Sequence, residues 1–241
     1  MSDDPVLVAL NAIHADCSTP ADIMIRMSHI ITMTVANQSR VVSYLQGELD
    51  ATQQRMLRDH IRKDAHADQL SLERQGIDLG LTIPEPLDHL LAGHAKADGE
   101  YVGHAYYYAL QHIIDWSGSD PIDFGVYSKP STFFGHLGDE LRHLGVPADL
   151  LPLDFLFAGP PDEIPFHIPS PVDGYPAIGR LPLAKAKPLA DAYAAVLDRM
   201  DHAFTYEAQR LIDKMRVEHD EWQSALQYGH TMDTLFFSIQ G

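Results

Sequence analysis

Ten of the sixteen prolines of this 241-residue chain fall between Pro147 and Pro188. Proline fixes φ and supplies no backbone donor, so the stretch 159–182, GPPDEIPFHIPSPVDGYPAIGRLP, holds neither a helix nor a central strand. Ile164, Phe166, Ile168, Tyr175 and Ile178 recur among those prolines, and a flexible linker seldom carries so many large apolar groups. The stretch is expected to be an ordered, extended crossing laid over a folded body.

On either side of it the periodicity is helical. Ser18-Thr19-Pro20-Ala21-Asp22 offers a hydroxyl cap followed by proline in the first turn. Ile23, Met27, Ile30 or Ile31, Val41 or Val42, Leu45 and Leu49 follow at three- and four-residue steps, which predicts one long helix, with Thr34 and Gln38 interrupting its stripe. Asp50 and Gln53 form a capping box for a second helix through Leu57, Ile61 and Leu72 to Gly76. Together they predict an antiparallel helical hairpin over 19–76. Shorter helices are expected over 86–97, over 100–116, from a Ser131 cap to Gly145, over 189–200 and over 204–222. Leu235-Phe236-Phe237-Ser238-Ile239 is too short for a helix and suits a terminal strand, with Val6–Leu10 or Phe155–Phe157 as alternative partners. The fold class is therefore mainly α, a helical hairpin plus a compact helical unit with a short terminal β-strand (α+β with minor β). The boundary is expected between residues 96 and 97.

Thirty-four acids against 17 bases give a net charge of -17, the wrong sign for nucleic acid or an anionic membrane surface. No apolar run reaches the roughly 18–20 residues that cross a bilayer. The acidic opening MSDDPVLVAL lacks the basic region of a signal peptide, so a cytoplasmic address is expected. A single cysteine, Cys17, excludes an internal disulfide and a multi-thiolate zinc site. The chain has no GxGxxG after a strand, no GxxxxGK[ST] loop, no GxSxG elbow and no HExxH. A nucleotide fold and the common hydrolases are thereby disfavoured.

Two clusters bear on chemistry. His136, Glu140 and His143 fall at i, i+4 and i+7, on one helical face, and Glu140-x-x-His143 is the step that aims an oxygen and a nitrogen at one metal. A divalent metal with a fourth ligand from His104 or His112 is the metal reading. A polar face bordering the Leu137, Leu141 and Leu144 core is the plainer one, since such bundles use the step twice and it occurs once here. The second cluster is His89, His94, His104 and His112, around Tyr106, Tyr107 and Tyr108, where imidazoles and aromatic rings sharing a groove would hold a ligand. On the hairpin, Ile30, Ile31, Val41, Val42 and Leu45 form a stripe that two copies of the chain would bury against each other, with Asn37 and Gln38 fixing the register.

From about Gly99 onward the order of features resembles a family of uncharacterised actinomycete proteins defined only as a domain of unknown function. The resemblance rests on the glycine-and-tyrosine helix from Glu100 to Ala109, the Leu144-Gly145-Val146 turn and the run Asp173-Gly174-Tyr175-Pro176-Ala177-Ile178-Gly179. A final helix with Trp222 and Ala225, then Gly229 and Leu235-Phe236-Phe237, complete it. It covers the last 140 residues or so, implies that Asp173 to Gly179 is a fixed turn within one unit, and carries no activity, cofactor or catalytic residue. The charge and the missing catalytic motifs favour a noncatalytic acidic protein-binding module of the bacterial cytosol, immunity- or antitoxin-like, with a basic protein partner and self-association through the hairpin. The alternative is a metal-binding helical protein or a metal-dependent enzyme.

Overall fold

His29-Ile30-Ile31-Thr32-Met33-Thr34-Val35-Ala36 is rich in β-branched residues and alternates in character, and it forms a strand. In the computed structural model, which describes residues 28–47, 50–96 and 98–240, this strand (β1, His29–Ala36) lies inside a four-stranded antiparallel sheet. Its neighbours are β2 (Ile122–Tyr127) and β4 (Thr234–Gln240), and β3 (Ile178–Pro182) pairs with the far side of β4. The order β2-β1-β4-β3 corrects the long first helix expected from residue 19. The Ser18-Thr19-Pro20 cap and Val6–Leu10 lie outside the described residues. The terminal strand is present, but its partners are β1 and β3. Phe155 sits in a short helix rather than a strand. A three- to four-residue apolar spacing and a two-residue one overlap in a run this apolar, and pairing with β2 and β4 decides between them.

Helices cover both faces of the sheet. Ile31, Met33, Phe124, Leu181, Leu235 and Phe237 face one core, shared with α5 (Pro130–His143), α6 (Pro152–Leu156), α7 (Leu183–Ala194) and α8 (His202–Leu226). Ala36, Ile178 and Phe236 face the other, shared with α1 (Gln38–Leu45), α2 (Ala51–Gln75), α3 (Pro84–Leu91) and α4 (Val102–Ser117). Asn37 caps α1 by accepting from the Arg40 N–H. The Asp50–Gln53 capping box and the left-handed Gly76 delimit α2 as the sequence predicts. Proline at N1 opens α5, so Lys129 and not Ser131 stands at its cap.

The stripe expected to pair two copies is covered within one chain. Ile31, Val41 and Leu45 have 0% exposure and Val42 6%, and only Ile30, at 45%, faces solvent. Asn37 is committed to the α1 cap and the carbonyl of Thr231, and Gln38 donates to Glu163 of the crossing at 3.1 Å. The boundary between residues 96 and 97 separates α3 from α4, yet both belong to one core, and β1 from the first half pairs with β4 from the second. The crossing is ordered as expected, with Ile168 and Ile178 buried and Ile164 and Phe166 partly so, and it ends in an edge strand. Gly179 allows β3 to pass close to α6, since a Cβ there would meet the carbonyl oxygens of Phe155 and Leu156 at 2.2 Å. Among the described residues no helix is long and apolar enough to cross a membrane.

Candidate functional site

Three strand ends meet at one corner of the sheet. His29 opens β1 opposite Tyr127, the last residue of β2, so Ser128 and Lys129 leave the sheet beside it. Gln240 closes β4 opposite Ile30. Tyr127 is fixed from below. Its hydroxyl donates to Glu207 Oε1 of α8 at 2.8 Å, and Arg210 donates to the same carboxylate at 2.7 Å while its guanidinium lies 4.8 Å from the Phe124 ring centre. Burial and the Glu207 charge push the Tyr127 hydroxyl well above the ordinary phenol range, so it stays a donor.

A cleft of about 440 Å³ opens at this corner. One wall is α4, where His104, Tyr107, Tyr108 and Gln111 recur at i, i+3, i+4 and i+7 and so share a face. The opposite wall is the crossing, from Pro171 through Asp173 and Tyr175 to Ala177, and the floor includes Ile239 and Gln240. Lys129 to Thr132, at the start of α5, form part of the rim. The crossing can lie against α4 because residue 103 is glycine, which a Cβ would bring to 2.2 Å from the Ser170 carbonyl oxygen. Asp173 accepts from the Tyr175 N–H at 3.0 Å, Gly174 takes φ 76°, and Phe157 packs edge-on against Tyr175 at 5.5 Å. This is the fixed turn that the resemblance implies.

The polar groups of the cleft are positioned from behind. Gln111 spends both amide hydrogens on Asp115 Oδ2 at 3.2 Å and Thr32 Oγ1 at 3.3 Å, and its oxygen accepts from Gln240 at 3.1 Å. Thr34 donates to the other Asp115 oxygen at 2.8 Å. Burial raises the Asp115 carboxyl above the usual range, and these two hydrogen bonds oppose the rise. At the mouth of this network two imidazoles are left incomplete: His29 Nδ1 and His104 Nε2 are buried and have no hydrogen-bond partner. Burial lowers the pKa of both rings, against an opposing pull from Asp173 and, for His29, a hydrogen bond with the Tyr127 backbone, while His29 lowers His104 further. The Tyr108 hydroxyl is pushed up to about 12, and Tyr107 rises as well, both by burial, so neither ionises near neutrality.

This burial predicts a pH dependence of stability. In the unfolded chain both histidines titrate near 6.5, and in the fold they titrate lower. Between those values the unfolded state binds more protons, so the contribution is whole above the unfolded pKa and is lost as pH falls through it toward the folded one. The denaturation midpoint of His104→Gln is expected to fall less than that of the wild type between about pH 7.5 and about pH 5.5. Equal slopes would show that His104 is not held neutral.

The structure does not bring the metal candidates together. His136 and His143 are exposed on α5, and Glu140 accepts from the Asp201 N–H at 3.1 Å. His104 and His112 stand on α4, across the sheet from α5. His112 lies 3.2 Å from Asp68 of α2, and His104 turns into the cleft. Among the described residues no three His, Cys, Asp or Glu side chains come together to hold a metal ion. Cys17 lies outside the described residues. Of the imidazole and tyrosine cluster, the structure brings His104, Tyr107 and Tyr108 to the cleft. His89 and His94 pack together at 5.1 Å, with His89 hydrogen-bonded to Tyr106 at 2.8 Å, away from it. Sequence reasoning did not single out His29, Lys129 or Gln111 as site residues. The i, i+3, i+4, i+7 spacing from His104 to Gln111 was a usable signal for the last of these.

Fold and cleft together define a mainly helical protein in three layers, a small antiparallel sheet between two helical layers, with a ligand-sized opening at one end of the sheet. The chain belongs to the family described as a domain of unknown function (DUF7691), whose model matches residues 27–238. That match takes in β1 and α1 to α3 as well as the C-terminal part that carries the resemblance. No curated protein matches the chain, and no solved structure does.

Proposed function

We propose that the protein binds a small organic molecule in the cleft between α4 and the crossing. The observation that carries this reading is an aromatic cavity of about 440 Å³ with His29, His104, Gln111 and Asp173 in its lining. The volume lies within the range of small-molecule sites, and the lining is largely apolar and aromatic with a few convergent polar groups.

The test is a screen of chemically diverse fragments against the full chain by thermal shift and by chemical-shift perturbation. A ligand at about 100 times its Kd stabilises by about 2.7 kcal/mol, which for a chain of this size raises the Tm by about 5–10 °C. Thr132→Trp, at the exposed rim, is expected to abolish the shift while leaving the unliganded Tm in place. Binding that perturbs no residue of the cleft overturns the reading.

A second reading is supported by the net charge of -17: a noncatalytic acidic module, immunity- or antitoxin-like, that neutralises a basic protein partner. Its test is recovery from native lysate of one basic protein whose binding weakens steeply with salt. Binding that does not change with salt overturns it. The cytoplasmic address and the actinomycete setting expected from the sequence belong to this proposal.

A further inference from the structure

The charges and acceptors around the cleft are unevenly matched. A neutral imidazole keeps a lone pair on one of its two nitrogens, so His29 and His104 offer acceptors to whatever enters. Asp173 is the carboxylate whose charge reaches both rings. Tyr107 and Tyr108 contribute un-ionised rings, whose faces attract cations. The chain as a whole carries -17, a field that gathers cations and turns anions away. Lys129 is the opposing charge. It stands exposed at the rim, where a long stem lets the ammonium remain in water.

We propose that the cleft takes an organic cation, a protonated amine or amidine on a flat or apolar body, with its N–H groups on Asp173, His29 and His104 and its body against Tyr107 and Tyr108. This rests on the cleft being a ligand site, and it adds the sign of the ligand's charge. Protonation of either imidazole removes an acceptor and adds a like charge beside the ligand. Affinity therefore falls in acid, and an anionic ligand would show the opposite slope. Burial, the Asp173 charge, the Tyr127 backbone beside His29 and the coupling of His104 to His29 set this titration, and Lys129, Tyr107 and Tyr108 are further titratable groups that line the cleft.

The experiment uses three probes of one shape: 2-phenylethylamine, 2-phenylethanol and 3-phenylpropionate, titrated into the full chain and followed by chemical shifts of the cleft residues. The amine is expected to bind about tenfold or more tighter than either of the others at about pH 7.5, and to weaken as the pH falls through the lowered pKa of the imidazoles. Asp173→Asn keeps the acceptor for the Tyr175 N–H and is expected to cost about tenfold for the amine and nothing for the alcohol. Lys129→Ala is expected to tighten the amine and loosen the acid. If the acid binds best and tightens as pH falls, or if Asp173→Asn leaves the amine unchanged, the assignment of charge is wrong while the cleft remains a ligand site. If none of the three probes binds and the fragment screen is also empty, the ligand site falls and this inference falls with it.

Discussion

The double substitution Val41→Glu with Leu45→Glu is expected to leave the chain unfolded at neutral pH. Both residues have 0% exposure and belong to the core that α1 shares with α2, α3 and α4. Neither position offers a cation, so each carboxylate is either buried unpaired or kept neutral at the expense of its pKa. Breaking a buried site with an uncompensated charge costs about 3–5 kcal/mol, and two of them approach or exceed the whole stability of a typical domain, about 5–15 kcal/mol. Far-UV circular dichroism and amide proton dispersion check it. A folded monomeric variant would restore the two-copy reading of Ile30, Ile31, Val41, Val42 and Leu45, in which the same change does no more than split a dimer.

The second large effect is expected from Gly103→Ala. In most helices this exchange stabilises, by about 0.5–1 kcal/mol, because alanine has less backbone entropy to lose. Here the new Cβ would lie 2.2 Å from the Ser170 carbonyl oxygen, 2.5 Å from its carbon and 2.8 Å from Pro171 N. All three atoms are backbone, and the crossing is tied down on either side by buried Ile168, Pro169 and Pro171. The overlap outweighs the propensity gain, for a net loss of about 2–4 kcal/mol and a Tm lower by about 5–15 °C. Because Pro171 to Ala177 is one wall of the cleft, the same variant is expected to weaken 2-phenylethylamine by about tenfold or more. A variant that melts like the wild type and binds like it would show that the crossing is not pinned at this point.

The family match and the sheet tell one story about where the unit lies. The match runs from residue 27 to residue 238, nearly from the first residue of β1 to the last of β4. Those two strands are adjacent in the sheet although some 200 residues apart along the chain. The segment from β1 to α3 is thus integral to the fold, and the cleft draws on both ends of the unit, with His29 from one and Gln240 from the other.

Signals that act over a few residues were legible without a structure. The Asp50–Gln53 box and Gly76 mark α2 because a capping hydrogen bond and a left-handed glycine need only the local backbone. The prolines from Pro160 to Pro182 dictate an extended crossing because each one removes a backbone donor, whereas Pro152 opens α6 and Pro188 sits within α7. The mainly helical class with a minor sheet and the terminal strand followed from period and β-branched content. The helices α4, α5 and α8 followed too, to within a few residues at their ends, while α3 stops at Leu91 short of 97 and α7 spans Leu183–Ala194 where the spacing predicts 189–200. Tertiary structure decided what depends on distant partners. HIITMTVA becomes a strand because β4 and β2 flank it, and Ile31, Val41 and Leu45 are core because α2 to α4 and the sheet cover them. His136, Glu140 and His143 share a helix face, as their spacing requires, but a metal site also needs a facing element with donors, and the fold supplies none among the described residues. The cleft is the clearest case. Spacing places His104, Tyr107, Tyr108 and Gln111 together, while only the packing of α4 beneath the crossing, allowed by Gly103, sets them opposite Asp173 and beside His29. Local rules fix which residues share a face, and burial against distant segments determines which face becomes core and which becomes a site.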